Sequence, residues 1–337
     1  QVACRALREE RSELLLHLPT GIQHMQSVRT AKDTATLAFS AMVFDDGDIY
    51  AQHPEQEAAW QRAKVYDQLF HRHPVIRDSP HQRRQLLARD LYRHQSGWTV
   101  RDKIRNLLQA TRLESPVGPL GDASDFSLSR HYVAFTAKDP DARPAWHTRQ
   151  HIYLGPLYGH APPNRISLAE NRGWAGTPVI SPNEDMVLFL QQYKDGFESD
   201  RKVLQAYLME EGQQVEIFPE WDVSPDTLSF SSDGRTLYAV VPEDEQRKVY
   251  AISVQGASFS DKHALVVDGS ASSPIQLPDG RLIYVLSTLQ SPNDVYLYDR
   301  GQTTRLTHFW QWSDAHRDVD MGPVPERFTY QGADGVT

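Results

Sequence analysis

The 337-residue sequence has a single cysteine, Cys4, so no disulfide can form within the chain and thiol content says nothing about compartment. It also lacks any Asn-x-Ser/Thr acceptor for N-linked sugar. No window approaches the ~20 apolar residues that a membrane-crossing helix needs. The longest apolar runs, such as Met186–Leu190 and Ala239–Val241, are of strand length. Surplus positive charge is missing as well. The 35 Lys and Arg stand against 44 Asp and Glu for a formal net charge of −9, which disfavours general nucleic-acid binding because phosphate neutralisation requires excess cations. The opening residues, Gln1-Val2-Ala3-Cys4-Arg5, carry neither an initiator Met nor a basic-then-apolar leader, and read as the product of processing or truncation upstream.

What is present is ordinary globular material. Hydrophobic residues at 39% and charged residues at 23% exclude a disordered chain. Aromatics at 10%, with 21 Pro and 19 Gly scattered along the chain, favour many short strands and turns over long helices.

One unit recurs: a turn bearing Ser, Pro, Asp or Asn, an alternating apolar strand, then a second strand rich in Tyr, Leu and Val. It runs from Ser127 to Phe135 and again as Ile180-Ser181-Pro182-Asn183-Glu184-Asp185 followed by Met186–Phe189. It returns as Phe230-Ser231-Ser232-Asp233-Gly234-Arg235-Thr236-Leu237-Tyr238 and as Leu277-Pro278-Asp279-Gly280-Arg281 followed by Leu282–Val285. Partner strands are predicted at His151–Leu154, Val203–Leu208, Lys248–Val254 and Asp294–Tyr298, and a looser copy at Ala31–Phe39. The period of about 45–55 residues is that of a four-stranded β-propeller blade. The predicted fold is therefore all-β, an incomplete propeller with short helical insertions. Open arrays leave sheet edges unprotected, so further blades are expected before Gln1. Helical composition is read at Glu55–Tyr66, and short helices or strand-plus-helix insertions at Arg83–Asp90 and Val100–Leu108. The domain reading is an unassigned segment over 1–26, blades over 27–326, and the start of another domain over 327–337.

With the blades placed, three stretches resemble one family. Asp195-Gly196-Phe197-Glu198-Ser199-Asp200-Arg201 is similar to the Gly-(Tyr/Phe)-Glu-Ser-Asp-Arg segment of the fungal dipeptidyl peptidase V group, within the prolyl oligopeptidase superfamily of serine peptidases. Glu114-Ser115-Pro116 with Gly121–Ser129 resembles the start of a central blade in that group. Val65-Tyr66-Asp67-Gln68-Leu69-Phe70-His71-Arg72-His73 resembles a Tyr-Asp-x-x-x-x-Arg-His stretch, but Pro74 and Val75 follow where the family has Trp and Asp. The resemblance implies a propeller that gates and positions peptides for a C-terminal α/β-hydrolase domain bearing Ser, Asp and His. It also implies removal of N-terminal dipeptides and an extracellular setting. Arg327–Thr337 resembles the first hairpin of that hydrolase domain.

The hydrolase's own chemistry is not found. No Gly-x-Ser-x-Gly nucleophile elbow occurs in the 337 residues. No catalytic residue is assigned, and the chain alone is predicted to be inactive as a peptidase. The partners implied are peptide substrates and the hydrolase domain, with no nucleic acid, membrane or cofactor. The alternative is a stand-alone propeller that binds a protein or small ligand.

Among substrate-binding candidates, Glu198 leads, since an exopeptidase needs an anion to hold the free ammonium of its substrate. The competing reading pairs Glu198 with Arg201 to fix the loop. Arg72 and His73 are weaker candidates, because Pro74 breaks the pattern. Asp200 and Arg201 read as a structural ion pair. His71, His73, His81 and His94 do not have zinc-ligand spacing, so no metal is assigned. Asp45-Asp46-Gly47-Asp48 lacks the bidentate Glu of a calcium loop and reads as a polar turn. Trp174, Trp221, Trp310 and Trp312 are expected to pack between blades. Asp314, His316 and Asp318 read as a solvated loop.

Overall fold

Where the sequence alternates apolar and polar residues it forms strands, and where Ser, Asp, Pro and Gly gather it turns. The computed structural model describes residues 2–5, 12–44, 46–49, 82–94, 97–109, 111–118, 120–139, 147–309, 322–323 and 326–335, and among these no α-helix occurs. The chain divides into two units, Gln1–Ser224 and Pro225–Thr337.

In the first unit, β1 (Val2–Arg5) and β2 (Ser12–Leu16) form an antiparallel ribbon. The first blade follows as β3 (Gln23–Ala31), β4 (Thr34–Phe44), β5 (Gln82–His94) and β6 (Gly97–Val100), with β7 (Arg105–Asn106) also paired to β5. The second blade is β8 (Phe126–Leu128), β9 (Tyr132–Ala137), β10 (His151–Pro156) and β11 (Asn164–Arg165). The third is β12 (Ala175–Ile180), β13 (Met186–Gln191), β14 (Val203–Leu208) and β15 (Gln213–Ile217).

The second unit holds a fourth blade, β16 (Thr227–Phe230), β17 (Thr236–Glu243), β18 (Gln246–Gln255) and β19 (Ser258–Val266). The fifth is β20 (Ser270–Gln276), β21 (Leu282–Thr288), β22 (Ser291–Asp299) and β23 (Gln302–Arg305). A single parallel bridge, Arg247 to Ser270, links the two. Consecutive four-stranded antiparallel meanders of this kind are propeller blades. The fold is an all-β propeller architecture.

The recurring serine explains why the repeat is legible. The Ser181 hydroxyl accepts from the amides of Asp185 and Met186 (both 3.1 Å), and that of Ser231 accepts from Thr236 N (2.8 Å), each closing the turn between the first two strands of its blade. In the fifth blade Leu277 stands at this position. There the turn is held by Leu277 N to Arg281 O (2.7 Å) and by Asp279 Oδ1, which accepts from Arg281 N (3.2 Å).

Period-two alternation gives β4 two apolar faces. Leu37, Phe39, Ala41 and Val43 pack with Leu16, Leu18 and Leu87. Ala38 on the opposite face joins Leu86, Ala88, Phe126 and Phe135 between the first and second blades. Ile152, Ile180, Val187 and Phe189 fill the space between the second and third. Val249, Ala271, Leu282 and Tyr284 do so between the fourth and fifth.

Two helix expectations are corrected. Arg83–Asp90 lies within β5, because Leu86, Leu87 and Ala88 are buried on successive faces and a strand between two sheets needs apolar residues on both. Val100–Leu108 holds the end of β6, the short β7 and turns. Glu55–Tyr66 lies outside the described residues.

Candidate functional site

Each blade has two ends. The turn joining its second and third strands lies at one, and the turns joining first to second and third to fourth lie at the other. Glu198 sits on the connection between β13 and β14, the second and third strands of the third blade.

This loop is fastened at several points. The buried Gln192 side chain donates Nε2 to the carbonyls of Glu198 (3.0 Å) and Asp200 (2.6 Å). Asp200 Oδ2 accepts from the amides of Tyr193 (2.8 Å) and Lys194 (2.9 Å). Desolvation works against its charge, but the amides of Lys194 and Tyr193 outweigh it and hold the carboxyl below the ordinary aspartate value. Arg201 donates Nη1 to the carbonyls of Pro219 (3.1 Å) and Trp221 (2.8 Å). Asp195 Oδ1 accepts from Thr148 N (3.0 Å), while Gly196 N donates to Thr148 Oγ1 (2.9 Å). Gly173 lies against the loop base, where an added Cβ would come within 2.0 Å of the Gln192 carbonyl oxygen.

The result is a fixed loop with an exposed tip. Glu198 is exposed there, next in sequence to Phe197 (50% exposed), and Tyr193 at the start of the loop is 48% exposed. Tyr193 reaches back through its hydroxyl to Glu216 Oε2 (2.5 Å) and accepts from Gln205 Nε2 (3.0 Å). Burial, and then the Glu216 carboxylate, push the phenol up to about 12, so it is a neutral donor at physiological pH. Gln214 Nε2 bridges Gln191 Oε1 and Gln205 Oε1 (both 3.0 Å), tying β13, β14 and β15 together beneath the loop. Lys194 Nζ lies 5.3 Å from the Phe197 ring centroid, and an exposed carboxylate such as Glu198 suits an organic ammonium through charge.

The curated relatives share a name. "Probable dipeptidyl-peptidase 5" of Arthroderma benhamiae is 30% identical over 238 residues, covering 67% of this chain and 32% of the relative. Its namesake in Aspergillus clavatus is 26% identical over 294 residues, covering 83% and 40%. This chain is a relative of dipeptidyl-peptidase 5. It spans roughly a third to two fifths of the length of these relatives (32% and 40%). No family model matches. Solved structures with similar chain paths include TolB from Acinetobacter baumannii (TM-score 0.45, 14% identity, 84% of this chain and 68% of that one). Another is the β-propeller domain of the Trilobed protease from Pyrococcus furiosus (TM-score 0.39, 14% identity, 54% and 56%).

Within this dipeptidyl-peptidase 5 relative, the structure places the other predicted residues unevenly. Asp200 and Arg201 both secure the loop, but not by pairing with each other. Asp200 turns to backbone amides and to Lys194 Nζ (3.9 Å), and Arg201 to carbonyls, because neighbours in sequence point apart in an extended segment. Arg72 and His73 lie outside the described residues, as do His71, His81, Trp310, Trp312, Asp314, His316 and Asp318. His94 is exposed and meets Arg101 Nη2 (2.9 Å). Among the described residues no three His, Cys, Asp or Glu side chains converge on a metal position. Asp46 Oδ1 accepts from Asp48 N (2.9 Å) around Gly47 (φ +80°), a polar turn.

Trp174 and Trp221 were expected between blades. Both lie half-buried near the loop base, Trp174 with Lys202 Nζ 5.1 Å from its ring centroid and Trp221 edge-on to Phe218 at 6.2 Å. Sequence reasoning missed Tyr193, Gln192 and the Gln191–Gln205–Gln214 bridge. The available signal was glutamine recurring at inward positions of otherwise apolar strands, where a buried amide must find partners.

Proposed function

We propose that this chain is the propeller of a serine dipeptidyl peptidase, admitting and positioning peptides for a Ser-Asp-His hydrolase domain, with Glu198 holding the substrate's free ammonium. The observation that carries the reading is an exposed carboxylate at the tip of a loop whose base is pinned by Gln192, Asp200 and Arg201. Such rigidity lets a recognition group measure distance from a terminus.

The turn between the second and third strands of the fourth blade gives further support. There Arg327 meets Glu245 Oε2 (3.3 Å) and Asp244 Oδ1 (3.5 Å), so the segment expected to open the hydrolase domain leaves from the corresponding end of its own blade. In that segment, which is irregular over residues 326–332, Phe328 is 81% exposed and Tyr330 74% exposed. An extracellular setting is part of the same reading and rests on the kinship with fungal dipeptidyl-peptidase 5 proteins.

The test uses a hexapeptide amide with a free N-terminus, titrated into the full chain by calorimetry. Binding should weaken about tenfold on N-acetylation and on Glu198→Gln, the loss of one charge-assisted contact. Equal binding of the acetylated peptide, or no effect of Glu198→Gln, overturns the assignment.

A further inference from the structure

A groove of about 730 Å3 opens in the second unit between the fourth and fifth blades. It lies at the end that carries the turns joining first to second and third to fourth strands. Its inner wall is apolar and aromatic: Tyr238, Leu265, Leu282 and Tyr298. Ala251 and Ser253 of β18 leave its floor low. Two adjacent acid–base pairs form the mouth. Arg281 is held by Asp279 through Nε (2.9 Å) and Nη2 (2.7 Å), and Arg300 by Asp299 through Nε alone (3.1 Å). The Arg300 side chain is 93% exposed, and its terminal amino groups make no hydrogen bond among the described residues.

The corresponding positions in the first unit are filled. Between the first and second blades, Tyr158 comes from the long connection 157–163 between β10 and β11 and accepts or donates to Thr36 Oγ1 (2.8 Å). Arg105 lies 4.7 Å over its ring. Between the second and third blades, Tyr207 and Met209 pack into the core and Glu184 bonds His131 N (2.8 Å). The fifth blade cannot plug its own groove, because only residues 300–301 join β22 to β23.

We propose that this groove binds a small zwitterion with an apolar body, of the size of a free dipeptide bearing an aromatic or aliphatic side chain. The volume falls within the usual range for small-ligand sites, on the order of 300–1,000 Å3. Equal numbers of acids and guanidinium groups at the mouth give little attraction to a ligand of one sign. A ligand carrying both signs meets Arg300 with its carboxylate and an aspartate with its ammonium. The side chain enters between Tyr238, Tyr298 and the two leucines, where it sheds water.

The experiment is calorimetric titration of the full chain with Ala-Phe, N-acetyl-Ala-Phe and Ala-Phe amide. Saturable binding of Ala-Phe is expected, with each blocked form about tenfold weaker. Arg300→Asn should weaken Ala-Phe by a similar factor, and Asn tolerates the left-handed backbone at this position (φ 48°). Ser253→Trp should fill the floor and abolish binding. Loss of binding in Ser253→Trp separates this site from the loop of the third blade. The proposal is overturned by absence of saturation up to on the order of 10 mM, by equal binding of the blocked forms, by indifference to Arg300→Asn, or by undiminished binding in Ser253→Trp.

Discussion

Two blade junctions built from the same repeat end in opposite ways. Between the first and second blades, Asp90 accepts from Arg105 (2.6 and 3.0 Å), from Thr36 Oγ1 (2.6 Å) and from the Tyr158 hydroxyl (3.3 Å), closing the junction with a buried carboxylate. Between the fourth and fifth, the charged groups stay on the turns, paired with sequence neighbours, and a groove remains. The difference teaches that propeller junctions are sealed by connection length and by one well-satisfied polar cluster, while the strands themselves stay alike.

The sharpest test of this contrast is Asp90→Ala. It strands the half-buried Arg105 guanidinium, and urea unfolding should show a loss of about 3 kcal/mol. Burial disfavours the Asp90 charge, but its bonds to Arg105 and Thr36 prevail and lower its pKa below the ordinary value. Its contribution is therefore full above the unfolded value of about 3.9 and fades as pH falls through the lower folded value. The wild-type advantage over Asp90→Asn should shrink below that range. A loss no larger than that of a surface ion pair would erase the distinction between the two junctions.

A second test concerns the start of the second blade. Asp125, 8% exposed, accepts from Val117 N (2.8 Å), and Gly121 is required beside it because a Cβ there would lie 2.3 Å from its Oδ2. Burial, only partly offset by that amide, pushes the carboxyl up to about 6. Here the folded value exceeds the unfolded one, so the protonated form is favoured and stability is lost as pH rises from about 4 through about 6. The stability of Asp125→Asn relative to wild type, measured by urea unfolding, should rise by about 2 kcal/mol between pH 4 and pH 7. A flat difference would show that the site is less dry than its burial indicates.

The smallest effect belongs to the open junction. Asp279→Asn removes the charge of an exposed pair while keeping the side-chain oxygen that accepts from Arg281 N, and should leave the urea midpoint unchanged in the same assay. A lowered midpoint would mean that the groove is braced by its rim.

The strands most legible in the sequence were those with turn serines before them and apolar alternation within. Val203–Leu208 has its predicted bounds, and the strand pairs beginning near Ser129, Ser181 and Ser231 lie where the repeat put them. The first blade was harder to see. Its β4 and β5 run 11 and 13 residues, are separated by a long connection, and β5 carries Arg and Gln that read equally well on a helix. Of the candidate site, the loop and its acidic residues were visible because they are contiguous. Its fastening was not, because Thr148 and Trp221 meet it from two separate segments, and a local motif holds no record of distant partners.

The glutamine bridge of the third blade has a consequence for how that blade assembles. Phe189 faces Gln205 and Tyr207 faces Gln214 across adjacent strands. Sliding β14 by one residue would turn Gln205 to the opposite face and break its bonds to Gln214 and Tyr193. The trio thus works as a proofreading latch, rewarding one alignment and penalising its neighbours, and the tip that displays Glu198 inherits its position from that alignment.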